Sequence, residues 1–117
     1  MREHTFTVSR ENTSEKDRDD YRTSLINMLS QTEFGFSPKS FRLNLTQGQS
    51  ITFRDGGDAE VQYIPLVNIE QPQTHRAIFS IRTSLNDQLE GVSDCIKGYS
   101  ESLGYFVTPD LASGLCF

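Results

Sequence analysis

The sequence of 117 residues predicts an α+β domain, with two helices packed on an antiparallel sheet of about four to six strands in the order β-α-β-β-β-β-α-β. Three patterns carry this reading. Leu85, Leu89, Val92, Ile96, Tyr99 and Leu103 recur at intervals of three and four, the repeat that lines one face of a helix. Phe41, Leu43, Leu45, Ile51 and Phe53 alternate with polar residues, the repeat of a half-buried strand. Between them Asp55-Gly56-Gly57-Asp58 is a strong turn signal, because paired glycines tolerate positive φ.

Taken in order, His4 to Ser9 alternates as a strand with Phe6 and Val8 on one side. Ser14 followed by Asp17 fits a helix N-cap, and Tyr21, Leu25, Met28 and Leu29 continue a helical stripe, so a helix is expected over about 15–31. Gln31 to Ser40 holds Gly35 and Pro38 and reads as a loop, whose Phe34 and Phe36 either fill the mouth of the core or contact a partner. Strands follow at 41–45 and 51–54, joined by a turn at Gln47-Gly48-Gln49. A third runs from Val61 through Tyr63, with Pro65 demoting its far end to an edge or bulge. Gln71 to His75 reads as a polar loop, and Ala77 to Ile81 as a central strand. Ser84 with Asp87 suggests a second capping box, and Gly104 a C-terminal cap, bounding the second helix. Tyr105 to Val107 forms a short last strand. The middle strands make the sheet, both helices lie on one face, and the first and last strands join as edges. The domain is placed at 1–109 and a tail at 110–117.

Charge is unevenly spread. The chain carries 11 Lys and Arg against 16 Asp and Glu, a net charge of −5. From Ser84 onward only Lys97 stands against Asp87, Glu90, Asp94, Glu101 and Asp110. On the helix at 84–104, Asp87, Glu90, Asp94 and Glu101 fall opposite the apolar stripe, with Lys97 beside them. Such a face disfavours direct contact with nucleic acid or anionic membrane and suits a partner protein with a basic surface. A solvated outer helix face would carry the same residues.

Catalytic and metal signatures are absent from the sequence. His4 and His75 are widely spaced and read as surface histidines, and with Cys95 and Cys116 they lack the paired spacing of a zinc site. Asp55, Asp58 and Glu60 cluster at a turn but fail the calcium-loop pattern. Gly56-Gly57 lacks the phosphate-loop frame. Cys95, at the edge of the apolar stripe, reads as a small buried hydrophobe. No cofactor or metal is expected. With no apolar run of signal-peptide or membrane-spanning length and no disulfide framework, a reducing cytoplasmic setting is expected.

These features point to a non-enzymatic protein-binding module of the inhibitor or adaptor type. Its candidate contact residues are Asp87, Glu90, Asp94, Glu101, Phe34 and Phe36. Small acidic proteins that phages direct against host defence systems have this character, an analogy of type without a motif. One alternative is a structural subunit of a homo-oligomer or virion-type assembly, joined through a sheet edge or through Leu111, Leu115 and Phe117 of the tail. Another is a small-ligand binder or an enzyme without a recognisable motif.

Overall fold

The computed structural model describes residues 2–31, 35–44, 48–66 and 70–109. Its elements are β1 (Arg2–Arg10), α1 (Glu15–Gln31), β2 (Ser37–Asn44), β3 (Gly48–Arg54), β4 (Glu60–Leu66), β5 (His75–Thr83), α2 (Asn86–Ser102) and β6 (Phe106–Pro109). They form one α+β domain with a single antiparallel sheet of spatial order β2-β3-β4-β5-β1-β6.

Both helices cover the same face. Tyr21, Leu25 and Leu29 of α1, and Leu89, Val92 and Ile96 of α2, join one buried cluster with Phe6, Val8, Ile51, Phe53, Val61, Tyr63, Ala77, Phe79 and Ile81. The strand residues in this cluster alternate along each strand, so they share the pleat side that meets the helices. Phe36 is fully buried and completes the core beside α1. Phe34 and the tail 110–117 lie outside the described residues, as do 45–47.

Three expectations are corrected. β1 is not an edge: it lies between β5, which it pairs along all nine residues, and β6. Its apolar Phe6 and Val8 sit opposite Phe79 and Ala77, so the sheet's core runs straight through it. β2 begins at Ser37, well inside the stretch read as a loop, and its register shifts between Pro38 and Ser40. Pro38 is tolerated because β2 is an outer strand, where a missing N–H costs no ladder bond on the free side. Gly48 and Gln49, read as part of a turn, are paired strand residues opposite Asn44 and Leu43. Pro65 falls where β4 pairs with β5 but no longer with β3, in keeping with its lost donor.

The two expected capping boxes differ. At α1 the Asp17 N–H donates to Ser14 Oγ (3.0 Å) and the Ser14 N–H donates to Asp17 Oδ2 (2.9 Å), a reciprocal box. At α2 the box does not form. Leu85 takes the cap position without a side-chain cap bond, and the Ser84 hydroxyl donates instead to Asp58. Thr83 Oγ1 accepts the Leu85 N–H (3.2 Å) and donates to Gln88, whose Nε2 donates to Asp55 (2.9 Å). The β3–β4 turn is therefore docked on the start of α2, and its carboxylates are held in structural bonds. The helix ends as expected: Gly104 at φ +86° lets its own N–H reach Glu101 O and the Tyr105 N–H reach Ser100 O, a Schellman closure.

Two glycines of this region should respond in opposite directions to alanine. Gly104→Ala forces a side chain into the left-handed region and should cost about 1 kcal/mol. Gly98→Ala sits mid-helix with open space around its Cβ and should gain about 0.5–1 kcal/mol. Urea unfolding of both variants measures the two signs.

Candidate functional site

The outer face of α2 is as the sequence reading describes it in one respect and different in another. Asp87, Glu90, Asp94 and Glu101 are all exposed, and none makes an ion pair with a described residue. Lys97, the cation expected beside them, folds inward instead. Its ammonium lies 5.2 Å from the centre of the Phe6 ring, and the residue is half-buried. The helix thus presents carboxylates while Lys97 is turned towards Phe6 of β1. Phe36, fully buried, offers no surface to a partner.

On the opposite side of the molecule no described residue covers the sheet, a face that sequence reading missed. No residue on it is buried among those described. Strand register assembles it in rows. Arg54, Glu60, Arg82 and Glu3 stand side by side across β3, β4, β5 and β1, alternating in sign. Arg54 bonds Glu60 at 2.6 Å and Arg82 meets Glu3 at 3.5 Å. The next row is neutral: Ser40, Thr52, Gln62, Ser80 and Thr5. Lys39, Arg42 and Arg76 complete the face's cations and have no ion-pair partner among the described residues. A hollow of about 520 Å³ opens over the β2–β4 half, with Lys39, Arg42, Arg54 and Gln62 in its wall.

The third feature is internal. Tyr21, Tyr63 and Tyr105 surround His75, with Tyr99 behind Tyr21; the sequence places His75 in a surface loop and the structure places it, buried, at the start of β5. The Tyr63 hydroxyl meets His75 Nε2 at 2.9 Å, and the Tyr105 hydroxyl meets Nδ1. A neutral imidazole has one donor and one acceptor, so one phenol donates to the ring and the other accepts from it. Tyr21 packs edge-on against the imidazole at 5.1 Å and touches the other three tyrosine rings. Its own hydroxyl pairs with Ser100 (2.7 Å), while Tyr99 donates to the Tyr21 carbonyl (2.7 Å). The loop before β5 is pinned above by Thr13, which donates through N–H and hydroxyl to Gln73 O, and by Arg18, which donates to Pro72 O.

This network fixes protonation states. Burial, reinforced by the Arg18 and Arg22 charges, lowers the His75 pKa to about 4. Burial raises Tyr21, Tyr63 and Tyr105, and pushes Tyr99 up to about 12, so all four phenols stay protonated. With both nitrogens engaged, the imidazole has none free for a substrate or a metal. No group of three or more His, Cys, Asp or Glu among the described residues is placed to hold a metal ion. Cys95 is half-buried, its thiol donating to the Met28 sulfur (3.4 Å), and burial raises its pKa, which keeps it unreactive.

These features define a two-layer α+β domain, with an acidic outer face on α2 and a partly cationic sheet face that no described residue covers. No known protein family matches the chain, and no curated protein matches it in sequence.

The buried histidine sets a pH response. An unfolded His titrates near pH 6.5 and the folded one near 4, so the unfolded state binds more protons between those values. Stability should be fully present above about pH 6.5 and fall as pH drops towards 4, by on the order of 2–3 kcal/mol from this group. His75→Phe should be less stable at pH 7, because it strands two hydroxyls, yet lose this part of the slope. Urea unfolding at a series of pH values, wild type against variant, reads the difference.

Proposed function

We propose that this protein is a non-enzymatic binding module of the inhibitor or adaptor type, with the outer face of α2 as its docking surface for a cationic partner protein. One observation supports this above the others: four exposed carboxylates, with no ion pair among the described residues, stand on a helix fixed at both ends, and Lys97 is drawn towards Phe6. Carboxylates held on a rigid element face a partner already oriented, which favours steering and register over raw affinity. A phage-borne inhibitor of a host protein's basic groove is the finer form of the same reading, and a reducing cytoplasm suits Cys95 as a free thiol. Assembly through a sheet edge, the rival reading, is opposed by local features. β2 carries Pro38, Lys39 and a register shift, and β6 is only four residues long, devices that blunt sheet edges.

The test is a pull-down from native lysate at low and moderate salt, comparing wild type with a variant carrying Asp87→Lys, Glu90→Lys, Asp94→Lys and Glu101→Lys. All four positions are exposed, so the variant should stay folded, losing on the order of 1 kcal/mol, chiefly at Asp87, whose carboxylate favours the first turn of the helix. A partner released by salt and lost in the variant is the expected result. A partner retained equally by both would overturn the assignment of this face.

A further inference from the structure

We infer that the bare sheet face is a second docking surface and that its occupant is the acidic outer face of α2 from a second copy of this chain. The inference rests on the reading of α2 as a docking face and names a surface that complements it. The hollow over β2–β4 brings together Lys39, Arg42 and Arg54 around Thr52 and Gln62, with Glu60 of the same wall taken up by Arg54 at 2.6 Å, so Lys39 and Arg42 are the cations it offers. Lys39 and Arg42 have no ion pair among the described residues, and Arg76 adds a third such cation on β5. Guanidinium forks and an ammonium beside hydroxyls and an amide are donors suited to carboxylates.

Other polyanions fit less well. Single-stranded nucleic acid binds such sheets by stacking bases on exposed rings. Among the described residues the two exposed aromatics stand away from the hollow: Phe41 is opposite Ile51, which points into the helix-covered core, and Phe106 lies on the far edge strand β6. A lipid surface asks for a broad apolar face, which this polar lining does not supply.

A carboxylate-bearing helix fits in size as well as charge. From Asp87 to Glu101 α2 spans about 21 Å at 1.5 Å per residue. The sheet from β2 to β1 spans about 19 Å at 4.8 Å per strand spacing. Each copy has the helix face on one side and the sheet face on the other, so the contact is heterologous, and association extends or closes as a ring.

Sedimentation velocity of the full chain tests this at about 20 mM and about 500 mM salt, on either side of strong screening. The expected weight-average mass at low salt is at least twice the 13.3 kDa of one chain, falling to one chain at high salt. Two charge reversals are compared: a sheet variant (Lys39→Glu, Arg42→Glu, Arg76→Glu) and the four-lysine α2 variant. Each alone should sediment as one chain, and an equimolar mixture should regain association, since the reversed sheet of one then faces the reversed helix of the other. Circular dichroism confirms that both are folded. A wild type that stays a single chain at low salt overturns the inference, as does association that either variant retains. Binding of a polyglutamate peptide to a single-chain wild type, lost in the sheet variant, would assign the hollow to an acidic ligand and equally overturn the second copy as occupant. The lysate pull-down is independent: a single-chain wild type that still loses its partner on α2 reversal refutes this inference alone.

Discussion

The structure turns on one buried imidazole. His75 is a polar group at the junction of the two helices, the sheet and the last strand, and burying it without partners would cost several kcal/mol. Tyr63 of β4 and Tyr105 before β6 satisfy it from opposite sides, and Tyr21 of α1 closes over its ring. Each phenol is in turn an apolar body carrying one hydroxyl, so the cluster fills core volume and satisfies polar atoms together. Tyr21 ties on to α2 through Ser100 and Tyr99. Five elements are thereby fixed against one another at a single point, and the geometry of both outer faces follows from that.

The two faces are electrostatically unlike. α2 shows the solvent carboxylates, while the bare side of the sheet holds five Lys and Arg against Glu3 and Glu60. An antiparallel sheet can leave one side wet, and the Ser, Thr and Gln row down its middle shows how water is accommodated there. The alternating Arg54–Glu60–Arg82–Glu3 row neutralises one end and leaves the cations near β2 and Arg76 uncompensated. A net charge of −5 therefore hides a molecule polarised across its thickness.

What the sequence revealed depended on how far apart the cooperating residues lie. The middle of the α2 stripe, Leu89 to Tyr99, and its acidic face were legible because both are set by helical spacing within one segment, whereas Leu85 and Leu103 flank the helix and are exposed. The same S/T-x-x-D pattern succeeded at Ser14 and failed at Ser84, where Asp58, 26 residues earlier, claims the hydroxyl. His75 looked like loop because its partners are 12 and 30 residues away and no local pattern announces them. The cationic sheet face was equally hidden. Lys39, Arg42, Arg54, Arg76 and Arg82 are scattered singly along the chain, and only strand register brings them to one side.

The interior position of β1 has a kinetic consequence. β1 leaves the ribosome well before either strand it must pair with, since β5 begins at His75 and β6 at Phe106. Its contacts are among the longest-range in the chain, and loop closure over such separations is paid for in entropy before any ladder bond forms. Until then β1 is an extended segment with Phe6 and Val8 uncovered and both backbone edges open. The β2–β5 meander can form early from neighbouring hairpins, and β1 then docks on β5 as a late step that creates the template for β6. At this edge of the sheet β5 is therefore in place before β1 although β1 is made first, and slow translation or a holding chaperone would act on β1 before any other strand.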